Sequence, residues 1–217
     1  MPASPLPLVV ASRNQAKVAE IERLIGDLTI VRPPGADSAL GQESEAASSL
    51  AANAEAKALL VSREEAGRLV VATDGGLLVP ALGEYWNPLQ TRRFAGENAT
   101  DRKRASHLLA LMRPYSGQDR RIGWREAMAV AYDGKIIATW TAESPPGLLA
   151  NDLLEESGVL ASGFWIPSLW LCPEFDGRRL IDLTIGERAR HDDHWARLGI
   201  ALRRLVSSIA AAGAEIG

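Results

Sequence analysis

The sequence predicts an α/β protein in which helices pack on a mixed sheet, and three features of the chain require it. Leu6 to Ala11 (LPLVVA) is apolar and β-branched enough for a buried strand. It runs through Ser12-Arg13-Asn14 into a segment with Ala16, Ala19, Ile21, Leu24 and Ile25 on one helical stripe. A buried strand feeding a capped helix is the usual opening of an α/β domain. Asp133-Gly134 separates two short runs, Met128–Tyr132 and Ile136–Trp140, as the turn of a β-hairpin. Two further strand patterns follow, Phe164–Leu171, interrupted by Pro167, and Arg179–Leu183. The resulting order, β-α-α-β-loop-α-β-β-β-β-α, excludes a strictly alternating doubly wound sheet.

The remaining elements follow from caps and breakers. Ser12 or Asn14 caps the first helix and Gly26 stops it. A second helix spans about Ser48 to Ala66, with Asn53 and Lys57 one turn apart on the same face. Leu69 to Ala72 reads as a short buried strand, and Glu84 to Pro88 as a turn-rich loop. Ala99 to Met112 is a third helix capped by Asn98 or Thr100 and ended by Pro114, and SGQDRR after it reads as a polar linker. Ser144 to Gly147 breaks the chain, Asn151 to Gly158 reads as a short acidic helix or loop, and Trp195 to Ala212 is an amphipathic closing helix.

With 217 residues the chain suffices for a substantial core in one domain, 1–217. A hydrophobic content of 47% and a charged content of 24% are those of a globular protein, and a net charge of −3 gives no nucleic-acid signature. The single cysteine, Cys172, excludes an internal disulfide framework and fits a reducing compartment. No apolar stretch approaches the roughly 18–20 residues of a membrane span, and the N-terminus lacks the basic region of a signal peptide. A cytoplasmic protein with neither nucleic-acid nor membrane partner is expected.

Gly67 to Gly83 (GRLVVATDGGLLVPALG) is the stretch most charged with chemical meaning. One carboxylate, Asp74, interrupts two apolar runs, and a buried carboxylate needs a cation or hydrogen-bond donors. Gly75 and Gly76 allow a sharp bend or close approach to a ligand, yet Asp-Gly is equally the signature of a hairpin turn. Lys17 stands in the first turn of its helix, where the macrodipole disfavours a cation. It is either a solvated surface lysine or, with Asn14 and the free N–H groups, part of an anion site.

Four segments in order resemble the inosine triphosphate pyrophosphatase family, hydrolases that convert deaminated purine nucleoside triphosphates to monophosphate and pyrophosphate. They are Ser12-Arg13-Asn14-Gln15-Ala16-Lys17, Glu45 followed by Ala52-Asn53-Ala54-Glu55-Ala56-Lys57-Ala58, Thr73-Asp74-Gly75-Gly76-Leu77, and Arg93 to Asp101 (RFAGENATD). The resemblance implies an elongated mixed sheet flanked by helices, two lobes with a cleft, and a homodimer. It implies a nucleoside triphosphate substrate whose phosphates are held by Ser12, Asn14, Lys17, Lys57 and the backbone of Gly75 and Gly76. Glu45 and Asp74 would bind Mg2+, and Asp74 would orient or deprotonate the attacking water.

The C-terminal half departs from the family. Its base-enclosing loop aligns with Gly163-Phe164-Trp165-Ile166-Pro167-Ser168, where the aspartate is missing, and its Ser-His-Arg before the last helix is absent. Phe164, Trp165 and Arg197 are left as candidates for the base, and an altered base preference is expected. A non-catalytic nucleotide- or partner-binding descendant and a hydrolase of another phosphoester are the competing readings. His191-Asp192-Asp193-His194 reads as a solvated entry to the final helix in preference to a metal site, and Cys172 as a buried small hydrophobe.

Overall fold

The computed structural model describes residues 7–41, 48–154, 165–191 and 194–215. The architecture is mixed α/β, with a central mixed sheet and helices packed on it. The strands are β1 (Leu8–Val10), β2 (Val31–Arg32), β3 (Leu69–Leu78), β4 (Arg121–Tyr132), β5 (Lys135–Glu143), β6 (Gly147–Leu149), β7 (Trp170–Cys172) and β8 (Arg178–Arg179). The helices are α1 (Gln15–Ile25), α2 (Leu50–Glu64), α3 (Asp101–Leu111), α4 (Ile185–Arg190) and α5 (His194–Glu215). Strand order is β2-β1-β3-β4-β6-β7-β8, with β5 also on β4. β1 runs parallel to β2 and β3, while β4, β6, β7 and β8 pair antiparallel in succession.

The chain divides into two compact units. The first comprises 1–74, 126–142 and 195–217, and the second 75–125 and 143–194. In the first, the side chains of Leu8, Val10, Leu69, Val71, Met128 and Val130 share one face of the sheet, as the period of two dictates. Against that face pack Ile21, Leu24 and Ile25 of α1 and Trp195, Leu198, Leu202 and Val206 of α5. Asn14 caps α1 by accepting from the Ala16 N–H at 3.0 Å, and Ser49 caps α2 by accepting from the Ala52 N–H at 3.1 Å. Glu65, at the end of α2, is ion-paired to Arg32 of β2 and to Arg68. Burial opposes its charge, but the two guanidiniums outweigh burial and hold its carboxyl below the usual range. The β4–β5 hairpin is anchored to α2 by Gly134 N–H donating to Ser62 Oγ at 2.7 Å and Thr139 Oγ1 to Glu55 at 2.7 Å. Asp133 and Gly134 both have positive φ, 44° and 72°, as a two-residue type I′ turn requires.

The second unit is built on Leu77, Leu108, Met112, Ile122, Leu149, Leu169, Trp170 and Cys172. Its local structure differs from the sequence reading in three places. The segment expected as a polar linker is a 3₁₀ turn, Gly117–Arg120, and its Arg120 is buried. In the span read as a strand interrupted by Pro167, the described residues before Trp170 form no strand: Pro167 sits in a 3₁₀ turn, Ile166–Ser168, and the strand starts at Trp170. Arg179–Leu183 leaves the sheet after Arg179 as a second 3₁₀ turn, Leu180–Asp182.

Arg120 replaces water for a ring of carbonyls. Its guanidinium donates to Leu149 O (2.9 Å), Met112 O (2.6 Å), Tyr115 O (3.3 Å) and Ala150 O (2.6 Å), tying the end of α3 to β6. Burial lowers its pKa from the usual arginine value. Because each orphaned buried acceptor costs about 1–3 kcal/mol, Arg120→Met is expected to lower the unfolding free energy by about 3 kcal/mol in urea denaturation. A loss under about 0.5 kcal/mol would mean that water serves those carbonyls equally well.

Candidate functional site

Most of the phosphate and metal candidates of the sequence reading stand on three elements of the first unit: the turn into α1, one face of α2, and β3 as far as Asp74. β3 does not break at Asp74. It continues as a single ten-residue strand through Asp74-Gly75-Gly76 to Leu78, so the hairpin-turn reading of Asp-Gly does not hold. Gly76 has a packing reason instead: a Cβ there would lie 2.4 Å from Pro88 O, a contact no other residue type could make.

Asp74 lies at the boundary of burial, its side chain 19% exposed, and both carboxylate oxygens are engaged from α2. Lys57 Nζ lies 2.6 Å from Oδ1, and Asn53 Nδ2 donates to Oδ2 at 3.0 Å. The helical spacing of four brings both donors to one carboxylate. Since a carboxylate only accepts, the Asn53 amide nitrogen must face it, which fixes the orientation of that amide. Its Oδ1 is then buried with no hydrogen-bond partner among the described residues.

Lys17 is not a solvated surface lysine. From the first turn of α1 its Nζ reaches Glu126 Oε1 at 3.0 Å and Thr73 O at 3.5 Å. Glu126 stands on β4 with its side chain 1% exposed. The sequence reading missed it, although a lone acid ahead of the apolar run Ala127–Ala131 was a signal of the same kind as Asp74. Asn14 and Ser12 shape the turn before α1: Asn14 Oδ1 caps the helix, and Ser12 Oγ accepts from the Asn14 N–H at 3.1 Å. The result is two lysines and two carboxylates paired as Lys17–Glu126 and Lys57–Asp74, joined along β3 at Thr73 and Asp74.

The other candidates are placed differently. Glu45 and Phe164 lie outside the described residues. Trp165 is 5% exposed and belongs to the apolar cluster of the second unit, its ring 6.1 Å from that of Phe94. Arg197 is exposed on α5. Gly75 falls in β3 beside Asp74. His191 is not solvated, as the sequence suggested, but 4% exposed and hydrogen-bonded to Glu174. Cys172 is buried, as expected of a small hydrophobe. Among the described residues no helix is long and apolar enough to cross a membrane.

Fold and cluster together define a mixed α/β protein whose first unit presents paired lysines and carboxylates along β3 and β4. The Ham1 family model matches residues 8–152, and the chain belongs to that family. It is 30% identical over 202 residues to the dITP/XTP pyrophosphatase of Thermus thermophilus, covering 93% of this chain and 90% of that protein. A dITP/XTP pyrophosphatase of Coxiella burnetii is 30% identical over 125 residues, 58% of this chain and 62% of that one. Among solved structures, a HAM1 protein from Coxiella burnetii superposes with a TM-score of 0.73 at 24% identity, covering 92% of this chain and 99% of that chain. The dITP/XTP pyrophosphatase structure from Mycobacterium abscessus gives 0.60 at 24% identity, covering 92% and 98%. At these identities the structural matches bear on the fold alone.

Proposed function

We propose that this chain is a Mg2+-dependent nucleoside triphosphate pyrophosphohydrolase that releases nucleoside monophosphate and pyrophosphate. The observation that carries the reading is the Asn53–Lys57–Asp74 constellation, in which a lysine and a carboxylate sit ready for phosphate and cation. The names of the related pyrophosphatases support the same reaction class. In this reading Lys17 and Lys57 turn from their carboxylates to the triphosphate, and Ser12, Asn14 and the Gly75 and Gly76 N–H groups complete its cradle.

The residues present suit a hard dication. Asp74 offers carboxylate oxygens, and the orphaned Asn53 Oδ1 beside it offers an uncharged oxygen to the ion or to its water. Asp74 and Glu45 would hold the ion. When bound, Mg2+ supplies charge neutralisation on the phosphate oxygens. Asp74 then accepts a proton from water as that water attacks the α-phosphorus, and the bond from Pα to the bridging oxygen breaks with the electron pair leaving on pyrophosphate. The enzyme acts as a cytoplasmic homodimer, each chain a single α/β domain of two lobes. Its base preference differs from inosine and xanthosine because the base-contacting segments have changed, with Phe164, Trp165 and Arg197 the remaining candidates.

Pyrophosphate release is to be measured from a panel of standard, deaminated and modified nucleoside triphosphates, with and without Mg2+. Release from at least one member, dependent on Mg2+ and stoichiometric with monophosphate, is expected. Binding without release from any member identifies a nucleotide-binding descendant instead.

A further inference from the structure

The second unit brings together three side chains of different chemical type. Cys172 ends β7, Glu174 follows in the 3₁₀ turn Pro173–Phe175, and His191 caps α4. One ligand atom from each lies within 4.8 Å of the other two. Glu174 Oε1 is 2.5 Å from His191 Nδ1, and the Phe175 ring lies 6.3 Å from the imidazole. We propose that Cys172, Glu174 and His191 form a binding site for Zn2+ or a cation of similar softness, distinct from the Mg2+ site.

The donor set selects the ion. A thiolate, an imidazole and one carboxylate suit zinc, whereas magnesium takes oxygens. Zinc bonds of about 2.0–2.3 Å place tetrahedral ligands roughly 3.3–3.8 Å apart, so adjustments of about 1 Å complete the geometry. Glu174, 40% exposed, has the freedom to make them, while Cys172 and His191 are held by packing.

The surroundings favour an open site. Glu174 and His191 line a cavity of about 500 Å3, together with Arg121 and Arg190. Three protein ligands would leave a fourth position open. An anion or water can occupy it. Without a cation, burial first and the charge of Glu174 second push the Cys172 thiol up to about 12, while Arg178 and Arg188 work the other way. A bound metal removes that proton outright.

The test uses the whole chain, freed of metal and kept in excess Mg2+ so that carboxylate sites are occupied. Titration with Co2+ should give the near-ultraviolet band of a thiolate–cobalt bond at about one equivalent, and Zn2+ should abolish it. Cys172→Ser should remove the band, and His191→Gln should weaken binding at least tenfold, with circular dichroism confirming the fold. Glu174→Gln, on the exposed side, provides a variant in which folding is not at risk, and should also weaken binding at least tenfold. Absence of the band from the native chain, or unchanged zinc affinity in Glu174→Gln, overturns the proposal.

Discussion

Asp74→Asn is expected to reduce pyrophosphate release by about three orders of magnitude or more, while lowering the unfolding free energy by no more than about 2 kcal/mol. The size follows from two losses at one atom pair. A neutral amide cannot accept the proton of the attacking water, and general-base catalysis alone contributes about 10²–10⁴-fold. It also removes the negative charge that a dication requires. The fold is spared because the asparagine side chain is isosteric with the aspartate it replaces, and its amide oxygen still accepts from Lys57, which stands 2.6 Å away in the native chain. The amide nitrogen becomes a donor facing Asn53 Nδ2, now 3.0 Å from Oδ2, and rotation of the Asn53 amide restores a donor–acceptor pair through its orphaned oxygen. Turnover within about tenfold of the native chain would remove Asp74 from the chemistry and leave it as a partner for Lys57.

Local patterns were legible where the local physics was strong. The caps of α1 and α3, the Asp133-Gly134 hairpin and the long closing helix follow from propensities that tertiary contacts reinforce. Where tertiary contacts reverse the local signal, the sequence misled. Ser116 to Arg121 is polar and reads as a linker, but Arg120 is buried because four main-chain carbonyls stand in for water. Pro167 looked like an interruption of a strand and instead belongs to a turn that precedes it. Asp74-Gly75 carries a turn signal that neighbouring strands override. In the site, Asn53, Lys57 and Asp74 could be assembled by helical spacing and one acid between two apolar runs. Glu126 comes from a strand more than a hundred residues from Lys17, and nothing local to either residue announces that pairing.

That pairing separates a structural role for Lys17 from a functional one. With Glu126 1% exposed and Lys17 19% exposed, the pair lies mostly outside water. Removing one partner of such a pair leaves a desolvated charge and costs about 3–5 kcal/mol, although the intact pair itself contributes little to stability. Lys17→Met is therefore expected to lower the unfolding free energy by about 3 kcal/mol, and kcat/KM by about a hundredfold or more if the ammonium also grips the triphosphate. Glu126→Gln in the same chain removes the stranded charge, so the double variant should recover most of the lost stability. It cannot restore a phosphate contact, so kcat/KM should stay low. Activity that returns together with stability would show that Lys17 serves only to neutralise Glu126. Recovered stability without recovered activity shows that the loss of activity does not come from lost stability, as a substrate contact of the ammonium requires.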